Sequence, residues 1–230
     1  MKNKTIGIIG GMGPQASAYM YKLLIDMAGK KFGAKNNDNF PEIVLHSIPV
    51  PDFISNKNNE KIALEMLGDS VKKFNNMDVS FLCVACNTAH IMLPELEKIS
   101  KVSFISMIDE AVEKINQSKT KKVGILGTSS AINSKLYQKA LYKYKIEFII
   151  PNNKQQEVLD KIIRNVLAGK IERKNRKQLM SIADSLRFQG AGGIVLGCTE
   201  LPLIFPLEYP ILVYNSVEIL SMALLRKYYE

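Results

Sequence analysis

Two cysteines about half a chain apart, Cys86 and Cys198, have the residue type and the setting for proton transfer. Each follows an apolar run and precedes a small polar residue, within FLCVACNTAH at 81–90 and GIVLGCTELP at 193–202. A thiolate accepts a proton and a thiol donates one near neutral pH. Two such groups can remove a proton from one face of a carbon and return one to the other face. The pair therefore indicates a reaction whose two directions are mirror images.

The elements predicted around these thiols would also tune them. Each cysteine ends a buried-strand pattern and precedes a sequence typical of a helix start. A helix N-terminus lowers the pKa of a thiol below its ordinary value of about 8.5. Polar side chains stand next to both cysteines, Asn87 and Thr88 in one motif and Thr199 and Glu200 in the other. We interpret the two cysteines as functional, with two buried structural cysteines as the alternative.

The third cysteine, Cys83, forms a C-x-x-C pair with Cys86 but lies inside the predicted strand. A redox pair would place its first cysteine after the strand, and a structural zinc ion would need four ligands, of which only His90 is nearby. We therefore predict that Cys83 is a small buried apolar residue and that no metal binds here. His90, on the first turn after Cys86, is a candidate either to assist that thiol or to cap the turn. An odd number of cysteines favours reduced thiols over a disulfide framework.

A glycine-rich loop, GGMGPQA at 10–16, joins the first predicted strand to the first helix. It matches a loose dinucleotide fingerprint, but a dinucleotide site also needs an acidic residue at the end of the second strand. This chain has HSIPVP there, at 46–51. Pro14 suits the first position of a helix. We interpret the loop as a helix N-terminus whose backbone N–H groups bind a carboxylate.

Predicted strands alternate with longer helical patterns along the whole chain. Strict alternation favours parallel sheets joined by right-handed crossovers, which is an α/β fold. The strands are predicted at 5–9, 43–48, 79–84, 102–106, 122–126, 147–150, 193–196 and 211–213. The helices are predicted at 16–29, 60–74, 94–99, 109–116, 133–144, 155–168 and 173–189, with a final helix from Ser216.

The sequence repeats itself in three places, in the same order. IGIIGG at 6–11 recurs as VGILGT at 123–128, the Cys86 strand recurs at Cys198, and FISMID at 104–109 recurs as ILVYN at 211–215. The offsets are 117 and 112 residues for the first two repeats and 106 for the third, counted from Asp109 to Asn215. We predict two similar α/β domains, 1–106 with 214–230 and 107–213, each carrying one of the paired cysteines. Ligands of such sheets bind beyond the carboxyl ends of the strands, where all these motifs lie.

Composition limits the partners of this 230-residue chain. It has 47% hydrophobic and 23% charged residues and a net charge of +9, and residues 101–180 hold 17 Lys or Arg against 7 Asp or Glu. These cations lie on the polar faces of predicted helices with little aromatic interleaving, so we interpret them as a solvated surface rather than a nucleic-acid site. No apolar run approaches the roughly 18 residues of a membrane span, and the N-terminus lacks a signal-peptide pattern. We expect a cytoplasmic protein that binds neither nucleic acid nor a membrane.

Three motifs together, GGMGP at 10–14, CNTAH at 86–90 and GCTELP at 197–202, resemble those of the aspartate/glutamate racemase family. The resemblance runs the whole length of the chain. It implies two Rossmann-like domains related by a pseudo-two-fold axis, with the active site in the cleft between them. It also implies an amino-acid racemase that needs neither pyridoxal phosphate nor any other cofactor. The family further suggests a homodimer.

The resemblance also implies roles for individual residues. Cys86 and Cys198 would alternate as base and acid at the α-carbon of the substrate. Glu200 would orient either the amino group of the substrate or Cys198. The residues that would border or hold the substrate are Met12, Gly13, Asn87, Thr88, Thr128 and Thr199. Of these, the asparagine and the first two threonines would bind its α-carboxylate.

Two departures from the family pattern concern the far end of the substrate. Aspartate-specific members read Pro-Asp-Arg where this chain has Pro-Asp-Phe53, and many carry a lysine where this chain has Leu167. In the family, that arginine would bind the side-chain carboxylate. Lys57 or Lys61 could supply a positive charge instead. We predict a racemase of aspartate. Because neither expected cation is present, glutamate or a broader set of amino acids stays open.

Two other functions stay open at this stage. The first is isomerisation or decarboxylation of a dicarboxylate by a member of the same superfamily, although a decarboxylase would need only one of the two cysteines. The second is a non-catalytic module that binds an amino acid or a nucleotide. In such a module both thiols would be inert, with pKa values near 8.5.

Overall fold

The computed structural model describes residues 4–53 and 59–230. Strands and helices alternate along these residues, as the sequence predicts. The strands are β1 (Thr5–Gly10), β2 (Glu42–Ser47), β3 (Phe81–Val84), β4 (Lys122–Gly127), β5 (Glu147–Ile149), β6 (Gly193–Gly197) and β7 (Leu212–Asn215). The helices are α1 (Pro14–Phe32), α2 (Glu60–Asn75), α3 (Leu93–Ile99), α4 (Met107–Gln117), α5 (Ser129–Asn133), α6 (Leu136–Lys143), α7 (Asn153–Leu167), α8 (Arg173–Phe188) and α9 (Ser216–Tyr229).

The strands form two sheets in which every pairing is parallel. The strand order is β2-β1-β3 in the first sheet and β5-β4-β6-β7 in the second. Strands β1, β3 and β6 are buried along their whole length, as expected where helices cover both faces of a parallel sheet. The predicted α/β class with two parallel sheets is confirmed.

The chain divides into two compact units, Met1–Met107 with Val217–Glu230, and Ile108–Ser216. In the first unit, α9 contributes Val217, Leu220 and Leu224 to the apolar cluster that surrounds β1 and α1. The ring of Tyr229 also stacks on Phe32, with 4.8 Å between ring centroids. The final helix therefore packs with the N-terminal strand and helix. The predicted domain boundaries at 106/107 and 213/214 stay a prediction.

The predicted internal repeat is visible in the register of the strands. Ile9 pairs with Val84 in the first sheet, and Leu126 pairs with Leu196 in the second. Leu126 lies 117 residues after Ile9, and Leu196 lies 112 residues after Val84, which are the offsets found in the sequence. Because the registers match, Cys86 and Cys198 occupy the same position, two residues beyond the equivalent pairs.

The third repeat differs from the prediction. No strand forms over 102–106, and only Phe104 makes a parallel bridge, to Leu82. Its counterpart in the second sheet is Val213, which pairs with Ile194, so the offset is 109 rather than 106 residues. Ser103 and Ser106 flank a two-residue apolar segment that is too short for a strand of its own.

The helix predicted over 133–144 corresponds to α6 and the last residue of α5, and the rest of α5 was not predicted. Thr128 begins α5 early by capping it, and the chain turns at Lys135 with a φ of +57° before α6 starts. The Nε2 of Gln138 donates to the carbonyl oxygen of Ile132 at 2.8 Å and so satisfies the end of α5. The periodic apolar pattern continues across this break, which is why the pattern alone predicted one helix.

Candidate active site

The loop after β1 folds tightly against the loop after β2. Gly11 has a φ of +98°, and a Cβ atom there would lie 2.3 Å from the carbonyl oxygen of Ile48. The N–H of Gly11 donates to Ser17 Oγ at 2.9 Å, and that hydroxyl donates to the carbonyl oxygen of Gly13 at 3.1 Å. Helix α1 begins at Pro14, as predicted. The prediction that this loop offers its N–H groups to a carboxylate is wrong for Gly11, because Ser17 already accepts that N–H.

Cys86 is buried, 4% exposed, at the carboxyl end of β3. The N–H of Ala85 donates to the carbonyl oxygen of Ile9 at 2.8 Å, which extends the ladder to the residue just before the thiol. The apolar cluster that contains Cys86 also contains Phe53, and Met12 packs against it. The residue at the expected arginine position is therefore 4% exposed and part of an apolar wall on the side of Cys86.

His90 ties the Cys86 loop to the start of α4. Its Nδ1 lies 2.8 Å from the carbonyl oxygen of Cys86, and its Nε2 accepts the N–H of Met107 at 3.0 Å. Since Nε2 accepts, the ring proton is on Nδ1 and donates to Cys86. In the chain, Asn87 and Thr88 lie between Cys86 and His90, and they are 1% and 2% exposed. The structure therefore supports the interpretation of His90 as a residue that positions the loop.

Cys83 belongs to the packed core and differs from the other two cysteines. It is fully buried inside β3, among the apolar residues that surround β1. Burial raises the pKa of its thiol well above the ordinary range. The prediction that Cys83 serves packing rather than chemistry agrees with this environment.

The β4–α5 loop carries Thr128 at the carboxyl end of the second sheet. Its Oγ1 accepts the N–H of Ala131 at 3.1 Å and caps α5. Helix α7 holds the same loop through Asp160, which accepts the N–H of Ser129 at 3.0 Å and also its hydroxyl. Gln156 adds a bond from its Nε2 to the carbonyl oxygen of Gly127 at 2.9 Å. These bonds fix the backbone immediately before and after Thr128.

Cys198 lies in a buried polar cluster at the end of β6. Its Sγ donates to Glu200 Oε2 at 3.0 Å, and the hydroxyl of Thr199 donates to the same oxygen at 3.0 Å. All three side chains are at most 5% exposed. A carboxylate acceptor stabilises the protonated thiol relative to the thiolate. The structure thus brings Cys198, Thr199 and Glu200 together as one hydrogen-bonded group.

The helix starts predicted directly after the two cysteines are wrong. Single 3-10 turns stand there, Thr88–Ile91 after Cys86 and Leu201–Leu203 after Cys198. A turn of three or four residues lacks the aligned peptide dipoles of an α-helix, so the dipole contributes little to the acidity of either thiol. The acidity of each thiol therefore depends mainly on the side chains around it.

Three positions bear on whether a cation binds the far end of the substrate. Lys57 lies outside the described residues. Lys61 is exposed on the first turn of α2, and Leu167 is 40% exposed at the end of α7.

Within residues 4–53 and 59–230 no group of His, Cys, Asp and Glu side chains could hold a metal ion. Among the same residues, no helix combines the length and apolarity needed to cross a membrane.

Two residues near Cys198 were missed by sequence reasoning. Tyr137, 2% exposed, packs against Gly197, and its hydroxyl hydrogen-bonds Ser216. The Oγ of Ser216 in turn donates to the carbonyl oxygen of Leu196 at 2.8 Å. In the sequence Tyr137 reads as one apolar position of a helix and Ser216 as a helix start, so no local signal joins them.

The protein thus has a duplicated α/β fold with a buried thiol after the equivalent strand of each copy. The chain belongs to the Asp/Glu/hydantoin racemase family, whose model matches residues 9–223. The family predicted from the sequence motifs is therefore confirmed, and with it the prediction of a racemase.

Individual relatives cover nearly the whole chain. The broad specificity amino-acid racemase RacX of Bacillus subtilis (strain 168) is 28% identical over 200 residues, which are 85% of each chain. The aspartate racemase of Picrophilus torridus is 29% identical, with a TM-score of 0.86 over 98% of this chain and 94% of that one. An aspartate racemase homologue from Pyrococcus horikoshii OT3 is 30% identical, with a TM-score of 0.82 over 99% and 100%.

Proposed function

We propose that this protein is an amino-acid racemase in which Cys86 and Cys198 are the two bases that act on opposite faces of one α-carbon. The observation that carries the proposal is the matched register of the two sheets, which gives both thiols the same place after equivalent strands. Of the three cysteines, these two share that place, whereas Cys83 lies inside a strand. Neither a redox nor a structural role would require the repetition.

The reaction consists of two proton-transfer steps. The thiolate of one cysteine takes the α-proton, and the electron pair of the broken C–H bond passes onto the α-carboxylate. The thiol of the other cysteine then gives its proton to the opposite face of the α-carbon, which forms the enantiomer. The first cysteine ends as a thiol and the second as a thiolate, so the reverse reaction starts from the state the forward reaction leaves. The proposal needs no pyridoxal phosphate or other cofactor.

The buried polar side chains next to each cysteine would bind the substrate. Asn87, Thr88 and Thr128 would hold the α-carboxylate, where hydrogen bonds stabilise the charge that develops in the transition state. The loop of Met12 and Gly13 would border the substrate, and Thr199 would complete the site beside Cys198. Glu200 would hold the Cys198 thiol in the orientation for proton transfer.

Aspartate is the first substrate we propose, with glutamate or a broader range of amino acids as the wider possibility. The Picrophilus torridus and Pyrococcus horikoshii structures support aspartate, and the Bacillus subtilis relative supports a broader range. Phe53, buried in the apolar cluster with Cys86, supplies no charge for a side-chain carboxylate. Lys57 or Lys61 would bind that carboxylate if the substrate is acidic. We further propose a cytoplasmic homodimer, as the resemblance implies.

Exchange of the α-hydrogen tests both the reaction and the substrate. The protein is incubated in D₂O with L- and D-enantiomers of a panel of amino acids, and chirality and Cα deuteration are followed by chiral chromatography with mass spectrometry. We expect deuterium at Cα of both enantiomers, first with aspartate. Release of carbon dioxide would indicate a decarboxylase. Binding of an amino acid without any exchange would indicate a binding module, and either result would overturn the proposal.

A further inference from the structure

We propose that Tyr137 and Ser216 are positioning residues that hold the end of β6 so that Cys198 is aimed for proton transfer. The inference rests on the proposed function, in which Cys198 is one of the two bases. It assigns a role to two side chains that lie outside the cysteine motifs. Three contacts carry it, and they fall on Leu196, Gly197 and Cys198 in succession.

The first contact is steric. A Cβ atom on Gly197 would lie 2.9 Å from Cε2 of Tyr137 and 3.1 Å from the carbonyl oxygen of Leu126. The strand therefore lies directly against the Cδ2 and Cε2 atoms of the tyrosine ring, and only glycine allows this approach. Since the ring is 2% exposed, it cannot move aside without opening the core. This packing fixes the position of Gly197, the residue immediately before Cys198, relative to the tyrosine ring.

The second contact is a chain of hydrogen bonds with a defined direction. The carbonyl oxygen of Leu196 can only accept, so the proton of the Ser216 hydroxyl is committed to it at 2.8 Å. The hydroxyl of Tyr137, which hydrogen-bonds Ser216, is then the donor to Ser216 Oγ. The chain thus runs from Tyr137 through Ser216 to the backbone two residues before the thiol.

The third contact is electrostatic and shows that Tyr137 acts as a neutral group. Burial raises the pKa of Tyr137 well above its ordinary range, and negative charge on Cys198 adds to the rise. The last effect requires the phenol to lie near the thiol. Tyr137 therefore keeps its proton over the range in which thiols titrate. It orients Cys198 and does not itself exchange protons with the substrate.

The same strand offers a matched control. Tyr214 packs on Gly193 at the amino end of β6, where a Cβ atom would lie 2.5 Å from its Cε2. Its hydroxyl hydrogen-bonds Thr120 Oγ1 at 2.6 Å, and the residue is 4% exposed. Tyr214→Phe and Tyr137→Phe therefore each remove one buried hydroxyl that lies next to a glycine of β6. Only Tyr137 is at the end that carries Cys198.

The test compares Tyr137→Phe, Ser216→Ala and Tyr214→Phe with the wild-type protein. The first measurement is the rate of iodoacetamide labelling of each cysteine peptide by mass spectrometry, which makes the Cys86 peptide an internal standard. The second is racemisation of the substrate found in the exchange panel, with the α-deuterium isotope effect measured from each enantiomer. Thermal melting reports whether each variant is folded.

We expect Tyr137→Phe and Ser216→Ala to change labelling of Cys198 about fivefold or more and to leave Cys86 unchanged, because they disturb one loop. We expect kcat to fall roughly 10- to 100-fold with little change in KM, as for a misplaced catalytic group. The isotope effect should rise only from the enantiomer whose proton Cys198 removes. The double variant should be no worse than either single variant, since both break one chain.

Three results would overturn the inference. Labelling of Cys198 at the wild-type rate in Ser216→Ala is the first, and this variant answers the question even if Tyr137→Phe does not fold. An equal change at both cysteines, or the same effect in Tyr214→Phe, would show general destabilisation. If labelling changes as expected but the wild-type protein racemises nothing, the positioning role stands and the proposed function fails.

Discussion

Cys198 Sγ and Glu200 Oε2 lie 3.0 Å apart in a buried cluster, with the hydroxyl of Thr199 on the same carboxylate oxygen. The thiol therefore has a fixed acceptor, and the two donors orient the carboxylate in turn. Nothing comparable follows from spacing in the sequence alone, because residues two apart usually face different directions. The chain turns between them, with the N–H of Leu201 donating to the carbonyl oxygen of Cys198 at 3.1 Å.

Glu200→Gln tests whether this carboxylate holds the Cys198 thiol. The amide keeps the size of the side chain but removes the negative charge that stabilises the S–H bond. We expect faster labelling of Cys198 by iodoacetamide at neutral pH, and a fall in kcat of roughly 10-fold or more because the thiol loses its orientation. Labelling of Cys86 serves as the reference. Unchanged labelling of Cys198 together with unchanged kcat would show that Glu200 has no effect on this thiol.

His90→Ala tests the tie between the Cys86 loop and α4. The substitution removes hydrogen bonds to Cys86 and Met107 inside the first unit, so we expect a loss of about 2–3 kcal/mol in the free energy of unfolding. Urea denaturation measures the loss. His46→Ala is the control, since His46 is only half-buried and its Nδ1 contacts the side chain of Ser70 rather than the backbone. A loss no larger than that of the control would contradict the bridging role.

Gly11→Ala tests the tight packing of the loop before Met12. A methyl group there meets the backbone of Ile48 at a φ of +98°, so we expect a loss of roughly 3 kcal/mol in stability together with loss of activity. Gly33→Ala is the matched control, because its φ is +75° with no atom within 4 Å of the added methyl group. It should cost only about 1 kcal/mol. Equal melting temperatures for the two variants would refute the steric argument.

Tyr209→Phe tests the behaviour at alkaline pH. Burial, followed by the hydrogen bond to Asp184, raises the pKa of Tyr209 from 10.0 to about 12. Between these values the unfolded chain releases the proton while the folded chain keeps it. The stabilisation is therefore complete below pH 10 and is lost as the pH rises towards 12.

The measurement is urea denaturation at several pH values across that window. The wild-type protein should lose more stability than Tyr209→Phe as the pH rises. The pKa values of Tyr137, Tyr144 and Tyr229 are also raised. The relevant quantity is therefore the difference in stability between the wild-type protein and Tyr209→Phe at each pH. Tyr142→Phe, at an 82% exposed position, should follow the wild-type curve. Parallel curves for the wild type and Tyr209→Phe would contradict the prediction.

Patterns local in sequence predicted most of the fold. Alternating apolar and helical periods gave the parallel sheets, and the repeat of 6–11 at 123–128 anticipated the matched register of the two thiols. The failures lie where a local pattern is ambiguous. Phe104 sits in a segment too short to be a strand, and the apolar period across Lys135 hid the break between α5 and α6.

The site shows the same limit. The two cysteines and their polar neighbours could be found from motifs, because each motif is continuous in sequence. The Tyr137–Ser216 bond joins residues 79 positions apart, and the burial of Phe53 in the same apolar cluster as Cys86 depends on the packed loop after β2. Such relationships are set by tertiary packing, which no spacing rule expresses.

The most direct test of the central claim is racemisation by Cys86→Ala and Cys198→Ala, with Cys83→Ala as the matched control. Each protein is incubated in D₂O with one enantiomer of aspartate, or of the substrate found in the panel, and the product is resolved by chirality and deuterium content. We predict that the control racemises like the wild-type protein, whereas each of the other two variants produces no opposite enantiomer. Racemisation at the wild-type rate by either Cys86→Ala or Cys198→Ala would contradict the two-base account.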